Sequence, residues 1–379
     1  MQKISFKTSV YLGERALERL EMLENKRIFI VADPYMIASG MINQITDRLH
    51  SSNTQYIFSE IVPDPPLEVV TEGVKELGQF KADLVIAVGG GSAIDTAKAI
   101  TYFEKRTVST EGTPLIAIPT TSGTGSEVTN FSVISDKKQN VKHVLISDDM
   151  LPEEAILDAV LVESVPPNIT ADTGMDVLTH AIEAYVSVKA NDISDALAEK
   201  TIKLVFEYLP QAVKQGSNSL ARQKLHAASC MAGMAFNVTS LGLNHGIAHG
   251  AGAKFKIAHG RINGILLPHI IEFNADYQAG NIRQKPNVAA ERYAAIARML
   301  GLSAFTVRGG VRSLVLAVKQ LMKQIHIPAS LQECGVTAGD MERFKADIAE
   351  EALCDVCTKT NPRVATRQDI VSLLEKVYS

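Results

Sequence analysis

Short apolar runs alternate with amphipathic stretches through the first half of the chain. Four runs have the continuous hydrophobicity of strands that are buried on both faces: 27–32, 55–59, 84–88 and 115–118. Between them, apolar residues recur at helical spacing over 42–49, 67–77 and 92–103. This alternation predicts a parallel sheet covered by helices on both sides. A hairpin (131–135 against 141–147, turned by 136–138) and a last strand over 156–158 complete this half.

The pattern changes after Pro166-Pro167, where strand signals nearly vanish. The segments that follow are long and have helical periodicity, notably 172–188, 195–209, 220–236 and 285–300. The sequence therefore predicts an α/β domain over residues 1–165, followed by an all-helical domain over residues 166–379.

Composition narrows the classes of function. The chain has 379 residues, of which 46% are apolar, so it can bury large cores. Its formal net charge is −4, from 38 Lys and Arg against 42 Asp and Glu, which argues against a nucleic-acid or polybasic membrane interface. No apolar stretch approaches the roughly 18 residues of a membrane span, and the first residues lack the apolar core of a signal peptide. With only four cysteines, we expect a soluble cytoplasmic protein.

A glycine-rich segment, Gly89-Gly90-Gly91-Ser92, lies where a predicted strand ends and a helix begins. Glycines there let the backbone approach a phosphate, and the free N–H groups of the following helix can bind its charge. The segment is not a GxGxxG fingerprint and follows the third predicted strand, which disfavours a standard Rossmann domain. A tight turn without a ligand is the alternative.

Two other strand ends support the phosphate interpretation. Asp33 follows the first predicted strand, where a carboxylate can accept bonds from ribose hydroxyls and repel a 2′-phosphate, which favours NAD over NADP. An Asp-Pro turn is an equally good interpretation of Asp33. The hydroxyl- and glycine-rich loop 119–127 follows the fourth predicted strand, and parallel strands bring these ends to one edge of the sheet.

A second group of residues has the chemistry of a metal site. Asp176 and His180 lie four residues apart in an apolar helical run, so both project from one helix face. His245, His249 and His259 follow, each flanked by glycine or alanine, which leaves room beside the imidazoles. One carboxylate with several imidazoles suits Fe(II) or Zn(II), and the residue types do not separate these metals.

Other polar residues in this half have simpler interpretations. Glu183 shares the helix face of Asp176 and could support a metal ligand, but a surface carboxylate is the preferred interpretation. Cys354 and Cys357 form a lone CxxC, which on a helix is best explained as two packed thiols. His226 is interpreted as a surface or internally bonded histidine.

Four motifs together resemble the iron-containing (group III) alcohol dehydrogenase family, and the match extends over the whole chain. They are GGGSAID at 89–95, IPTTSGTGSEVT at 118–129, TGMDVLTHAIEAYVS at 173–187, and the HGIAHGAG and AHG segments between 245 and 260. Stretches such as FSEIVPDPPLEVV (58–70) and TNPR (360–363) are most similar to the 1-propanol dehydrogenase group of propanediol-utilisation microcompartments.

The resemblance implies a dehydroquinate synthase-like fold, with a non-standard NAD-binding domain and a helical metal-binding domain. It implies metal ligands at Asp176, His180, His245 and His259, with His249 beside the substrate as a catalytic proton relay. The implied nucleotide contacts are Asp33, Asp64, Gly90, Gly91, Ser92, Asp95, Thr120, Thr121, Thr124 and Lys142.

The activity implied is metal-polarised hydride transfer between NAD(H) and short-chain aldehydes or primary alcohols, with propanal and 1-propanol favoured and Fe(II) as the metal. A homo-oligomer, and other microcompartment enzymes as partners, are implied in the same way. A zinc-dependent polyol dehydrogenase similar to glycerol dehydrogenase, a metal-dependent hydrolase and a non-catalytic assembly component stay open as alternatives. Tight NADH binding would exclude the hydrolase.

Overall fold

The computed structural model describes residues 4–62, 65–108, 111–136, 141–276 and 286–379. The chain forms two compact units, one of Met1–Ser164 with Arg222–Met234, the other of Val165–Ala221 with Ala235–Ser379. The first unit thus includes a helical segment, Arg222–Met234, from the half of the sequence in which only helices are predicted.

The first unit is built on a six-stranded, wholly parallel sheet with the strand order β1-β8-β5-β4-β2-β3. Its register aligns Ile30 of β2 with Ile57 of β3 and Ile86 of β4. The antiparallel pair β6–β7 forms a separate hairpin. The strands are β1 (Ser9–Leu12), β2 (Arg27–Ala32), β3 (Thr54–Phe58), β4 (Leu84–Gly89), β5 (Leu115–Pro119), β6 (Phe131–Asp136), β7 (Val141–Ile146) and β8 (Glu154–Leu157).

Alternate residues of the central strands enter two different cores, which explains their continuous hydrophobicity. Ile28 and Ile30 of β2 belong to one core, with Ile86, whereas Phe29 and Val31 belong to the other, with Val85. The helices on these faces are α1 (Pro34–Ala38), α2 (Asn43–Thr46), α3 (Leu67–Phe80) and α4 (Gly91–Thr107).

The second unit is helical in all of its described regular structure apart from short turns. Its helices often begin at polar caps; Asn191 and Ser194, for example, form a reciprocal capping box. The helices of this half of the chain are α5 (Pro167–Val186), α6 (Asp192–Lys214), α7 (Ser219–Thr239), α8 (Leu243–Phe255), α9 (His259–Asn274), α10 (Val288–Met299), α11 (Val307–Gln324), α12 (Ala338–Cys354) and α13 (Arg367–Tyr378). None of the helices in the described ranges is both long and apolar enough to cross a bilayer.

The predicted fold class, a parallel α/β part followed by an all-helical part, is confirmed. Some details differ. The edge strand β1 was not predicted, so the glycine segment follows the fourth strand rather than the third. The helix predicted over 42–49 covers only Asn43–Thr46. Within the predicted hairpin turn, residues 137 and 138 lie outside the described residues, as does residue 285 of the last predicted helix.

Candidate metal centre and nucleotide-binding loops

One face of helix α5 carries three buried polar side chains. Asp176, His180 and Glu183 are spaced by four and three residues, and each is 5% exposed or less. These groups are withdrawn from water at a substantial cost unless they find partners in the interior. The face therefore has the character of a site rather than of a surface.

The starts of helices α8 and α9 bring two more imidazoles to this face. His245 Nε2 lies 3.5 Å from Asp176 Oδ1, and His259 Nε2 lies 3.5 Å from the same oxygen. His180 Nε2 lies 3.9 Å from Asp176 Oδ2. In the four residues, here called the donor cluster (Asp176, His180, His245 and His259), each imidazole Nε2 therefore lies within 4 Å of an oxygen of Asp176. The ligating atoms of Asp176, His180 and His245 all lie within 4.8 Å of one another, which is close enough to hold one metal ion.

Asn263, one turn after His259 on α9, lies at the centre of this arrangement. Its side-chain amide donates to Asp176 Oδ1 at 2.7 Å and lies 3.1 Å from the Nε2 atoms of both His245 and His259. After the bond to Asp176, the amide has one N–H left, which can donate to a lone pair on one of the two imidazoles; an unprotonated nitrogen is also what a metal ligand needs.

Glu183 determines which nitrogen of His245 carries the proton. Its carboxylate accepts from His245 Nδ1 at 2.5 Å and from the backbone N–H of Asn244 at 2.7 Å. The proton is thereby held on Nδ1, so Nε2, which faces Asp176, is the nitrogen that can ligate a metal. The interpretation of Glu183 as a surface carboxylate was wrong, because its side chain is only 3% exposed and supports a member of the donor cluster.

His180 carries a buried nitrogen atom that has no hydrogen-bond partner among the described residues. It is buried, it makes no hydrogen bond among the described residues, and its Nδ1 is a buried atom without an acceptor or donor. Burial lowers the pKa of His180 to about 3, so the ring is neutral. Burial opposes ionisation of Asp176, but the adjacent imidazoles outweigh it and hold the pKa of this carboxyl well below its usual range. One carboxylate and three imidazoles fit a divalent transition metal.

His249 is oriented separately, by the segment after helix α12. Its Nδ1 donates to Asp355 Oδ2 at 2.8 Å, and the other oxygen of Asp355 accepts the Cys357 N–H at 2.8 Å. Burial disfavours the carboxylate, but the bond from His249 outweighs it and lowers the pKa of Asp355. The His249 ring stacks on that of His259 at a centroid distance of 5.4 Å. The CxxC segment therefore contributes an aspartate to this region, which the sequence did not predict.

In the α/β unit, the glycine segment forms a close turn at the carboxyl end of β4. Gly89 has a φ of +153°, and a Cβ there would lie 2.7 Å from the Cβ of Ala93 and 2.9 Å from that of Asp33. A Cβ on Gly91 would lie 2.8 Å from Thr124. Only glycine fits such approaches. Helix α4 begins at Gly91 with no side-chain cap and no acidic residue in its first turn, so its N–H groups can bind an anion.

The loop after β5, residues 119–129 and here called the hydroxyl loop, lies beside this turn. Thr120 N–H donates to Gly89 O at 3.0 Å, and Asp33 N–H donates to Val88 O at 3.0 Å. Strand β4 lies between β5 and β2, so the predicted convergence of the three strand ends is confirmed. Asp33 also caps helix α1, because its Oδ1 accepts the Tyr35 N–H at 2.8 Å.

The structure describes some of the remaining residues predicted to contact the nucleotide, and others lie wholly or partly outside the described residues. Gly90, Gly91 and Ser92 lie at the start of α4, and Thr120, Thr121 and Thr124 lie in the hydroxyl loop. Both oxygens of Asp95 accept bonds from within the unit. Asp64 lies outside the described residues, and Lys142 lies on β7 with its side chain outside them. Nothing in the structure tests the contacts of these residues with a nucleotide, and they stay predictions.

Two family models match the chain. The model "Iron-containing alcohol dehydrogenase" matches residues 7–159, and "Fe-containing alcohol dehydrogenase family, C-terminal" matches residues 170–378. The chain belongs to the iron-containing alcohol dehydrogenase family. It is therefore an alcohol dehydrogenase, and the predicted family is confirmed.

Relatives within the iron-containing alcohol dehydrogenases cover the full chain. It is 43% identical to the 1-propanol dehydrogenase PduQ of Citrobacter freundii and 41% identical to that of Salmonella typhimurium, over 100% of both chains in each case. A crystal structure of a 1,3-propanediol oxidoreductase superposes with a TM-score of 0.90 at 31% identity, covering 100% of each chain. A sulfoacetaldehyde reductase from Bifidobacterium kashiwanohense, solved with NAD+, gives a TM-score of 0.86 at 27% identity, covering 100% of this chain and 99% of the other.

Proposed function

We propose that this alcohol dehydrogenase is NAD(H)- and Fe(II)-dependent and interconverts short-chain aldehydes and primary alcohols, with propanal and 1-propanol favoured. The observation that carries the proposal is the convergence of one buried carboxylate and three imidazoles in the donor cluster. The preference for propanal is supported by the similarity to the two 1-propanol dehydrogenases.

Asp176, His180, His245 and His259 would hold the ion. A bound divalent metal supplies a Lewis acid for the substrate oxygen, and a bound nicotinamide supplies or accepts the hydride. Glu183 and Asn263 orient the donors by fixing the Nδ1 proton of His245 and by bonding to Asp176. The ligand atoms are therefore oriented before the ion arrives, which reduces the cost of binding it.

We assign proton relay to His249. Its Nδ1 proton is committed to Asp355, so Nε2 is the atom that can take up or release a proton at the substrate oxygen. The side chain of His249 is 46% exposed, whereas that of His245 is 1% exposed, so His249 can exchange a proton with water more readily than His245.

For the cofactor, we propose that the start of α4 and the hydroxyl loop bind the phosphates of NAD(H). Glycine at 90 and 91 leaves the backbone accessible, and the N-terminal end of a 17-residue helix favours negative charge. Asp33 would accept bonds from a ribose and repel a 2′-phosphate, so NADH should be preferred over NADPH. Asp64, Asp95 and Lys142 complete the proposed contacts.

The cellular setting is proposed on similarity alone. A homo-oligomer in the cytoplasm, or within a bacterial microcompartment with other enzymes of propanediol utilisation, is what the resemblance to the 1-propanol dehydrogenase group implies, and two relatives reported above carry that enzyme name.

Anaerobic NADH oxidation by the purified protein with propanal tests the proposal, after chelation and again after addition of Fe(II) or Zn(II). We expect turnover that returns with Fe(II), and a lower rate when NADPH replaces NADH. Full turnover by the chelated protein would contradict the metal proposal, and no turnover with ethanal, propanal or butanal would contradict the substrate class. Restoration by Zn(II) alone, with glycerol oxidised faster than propanol, would favour the polyol dehydrogenase instead.

A further inference from the structure

Helix α4 carries a completely buried lysine below the hydroxyl loop. Lys98 is 0% exposed, and its ammonium donates to Ser126 Oγ at 3.0 Å, to Thr129 Oγ1 at 2.9 Å and to Phe131 O at 3.0 Å. An ammonium group has three N–H donors, and each has one acceptor here. All three acceptors belong to the end of the hydroxyl loop or to the first residue of the hairpin that follows it.

Asp95, one turn earlier on α4, binds the same segment from the other side of Ser126. Its carboxylate accepts from the Ser126 hydroxyl and, at 3.0 Å, from the Val133 N–H. Ser126 is thus bonded to both Asp95 and Lys98. These residues, here called the loop support (Asp95, Lys98, Ser126 and Thr129), connect the helix that follows the glycine turn to the hydroxyl loop.

The helical segment Arg222–Met234 contacts the hydroxyl loop at Ser122 and Gly125. His226 Nδ1 lies 2.9 Å from Ser122 Oγ, and burial lowers the pKa of His226 to about 4, so this is a bond of a neutral ring. Gly125 has a φ of +62°, and a Cβ on Gly125 would lie 2.7 Å from the Cα of Gly233. The hydroxyl loop therefore packs against the backbone of Gly233 at Gly125, and its last residues, Ser126 and Thr129, are bonded to the ammonium of Lys98.

A charge at position 98 is costly for stability. Burial lowers the pKa of Lys98 to about 8, against the attraction of Asp95 and Glu127. A protein is often at least as stable when apolar side chains replace a whole buried ion pair. The pair formed by Lys98 and Asp95 is therefore not explained by stability alone. The contacts instead fix one conformation of the loop.

We propose that Lys98 is a positioning residue for nucleotide binding, which holds the hydroxyl loop in the shape that receives the phosphates of the dinucleotide. The inference rests on the proposed function, since it takes the hydroxyl loop to be part of the nucleotide site. A purely structural role makes a different prediction, because the loss of Lys98 would then lower the melting temperature and leave nucleotide affinity unchanged.

The test uses NADH fluorescence titration of the chelated full-length protein, so that no turnover contributes. Lys98→Met should weaken NADH binding by about tenfold or more. It also leaves Asp95 without an opposite charge and three acceptors without their donor, so the melting temperature should fall as well, and NADH affinity is the deciding measurement. Thr129→Val keeps Lys98 and removes one acceptor, so it should weaken binding by a smaller factor. Thr101→Val is the matched control, because Thr101 is a buried threonine on the same helix that bonds only to helix carbonyls.

Hydrogen exchange of peptides that cover 119–129 provides a second measurement, and we expect faster exchange in Lys98→Met than in Thr101→Val. Unchanged NADH affinity in both Lys98→Met and Thr129→Val would overturn the inference and leave the proposed function standing. Failure of the wild-type protein to bind NADH would contradict the proposed function itself, and the inference with it.

Discussion

Each unit of the molecule buries a cluster of polar side chains, and the two clusters differ in how their hydrogen-bonding capacity is met. In the donor cluster, His180 has no hydrogen bond among the described residues, whereas Asp176, His245 and His259 share the side-chain amide of Asn263. In the loop support, the ammonium of Lys98 has an acceptor for each N–H. Buried polar groups are normally satisfied, so the orphaned nitrogen of His180 fits a ligand site, whereas the fully bonded ammonium of Lys98 fits a structural support.

This difference separates two kinds of function that look alike in a sequence. Both clusters combine carboxylates with basic side chains on helices, and Asp176, His180, His245 and Lys98 are all buried. A cluster with ligating atoms that lack hydrogen-bond partners can bind a cation. A lysine whose three N–H groups are all bonded instead holds the backbone in place. Substitutions in the two clusters should therefore change different measured quantities.

The largest effect is expected from Asp176→Asn, which removes the only carboxylate of the donor cluster. The bound metal should fall from about one ion per chain to a small fraction, and kcat/KM should fall by at least about 1,000-fold, because a Lewis acid contributes several kcal/mol to such a reaction. Metal analysis and steady-state kinetics measure both. NADH affinity of the chelated protein should not change.

Asp172→Asn is the matched control for Asp176→Asn. Asp172 lies one turn earlier on α5 and pairs with Arg261 rather than with the donor cluster. Its replacement should leave the metal content near that of the wild type. Equal loss of metal in both variants would show that the helix, rather than the carboxylate of Asp176, is the requirement.

Glu183→Gln sharpens the comparison by changing a tautomer rather than a ligand. A glutamine amide at this position would donate to His245 Nδ1 and move the ring proton to Nε2, where it blocks metal binding. We expect metal affinity to fall by about 10- to 100-fold. Competition with a chelator measures it, and Glu199→Gln on α6 is the control. An unchanged affinity would mean that Glu183 only fills space.

Asp33→Ser should affect the α/β unit alone. Serine keeps a cap for helix α1 but removes the charge that is proposed to repel a 2′-phosphate. The preference for NADH over NADPH should shrink by about tenfold in kcat/KM, which corresponds to about 1.4 kcal/mol, while the metal content stays constant. If the ratio is unchanged, Asp33 serves only as the helix cap.

Glu127→Gln, next to the loop support, should change stability and leave metal and nucleotide binding least affected. Burial raises the pKa of Glu127 to about 7, with its own backbone N–H and Lys98 opposing the shift. The Glu127 carboxyl thus binds its proton more tightly in the folded state than in the unfolded chain. Its contribution to the free energy of unfolding is therefore greatest at low pH and is lost as the pH rises toward and through 7. Glutamine cannot lose this proton.

The variant should therefore gain stability relative to the wild type between pH 5 and pH 8, by about 1–3 kcal/mol. Melting temperatures of both proteins across this range measure the gain. Parallel curves for the two proteins would contradict a buried, protonated Glu127.

Most of the donor cluster could be predicted from sequence because its signals are local. Asp176 and His180 share a helix face through their spacing, and His245 and His259 are marked by small neighbours. Their meeting is a tertiary fact, and the structure shows it. Glu183, Asn263 and Asp355 could not be assigned, because each acts through a partner that is distant in sequence or lies on another helix.

In the fold, the central strands were found because they are buried on both faces, whereas the edge strand β1 was missed because Ser9–Leu12 is short and partly exposed. Lys98 gave no signal, because a lysine within a helix is ordinarily solvated. His226 was interpreted as isolated, and its contact with Ser122 depends on Arg222–Met234 joining the first unit. Such long-range packing leaves no local periodicity.

The central claim is that one ion is held by Asp176, His180, His245 and His259. Anomalous diffraction at the iron edge, from crystals of the Fe(II)-loaded protein grown without oxygen, tests it most directly. The account predicts a single strong peak about 2.0–2.2 Å from one oxygen of Asp176 and the three imidazole nitrogens. A peak held instead by His249, Asp355 and Cys357, the other group of donors close enough to hold a metal, would contradict it.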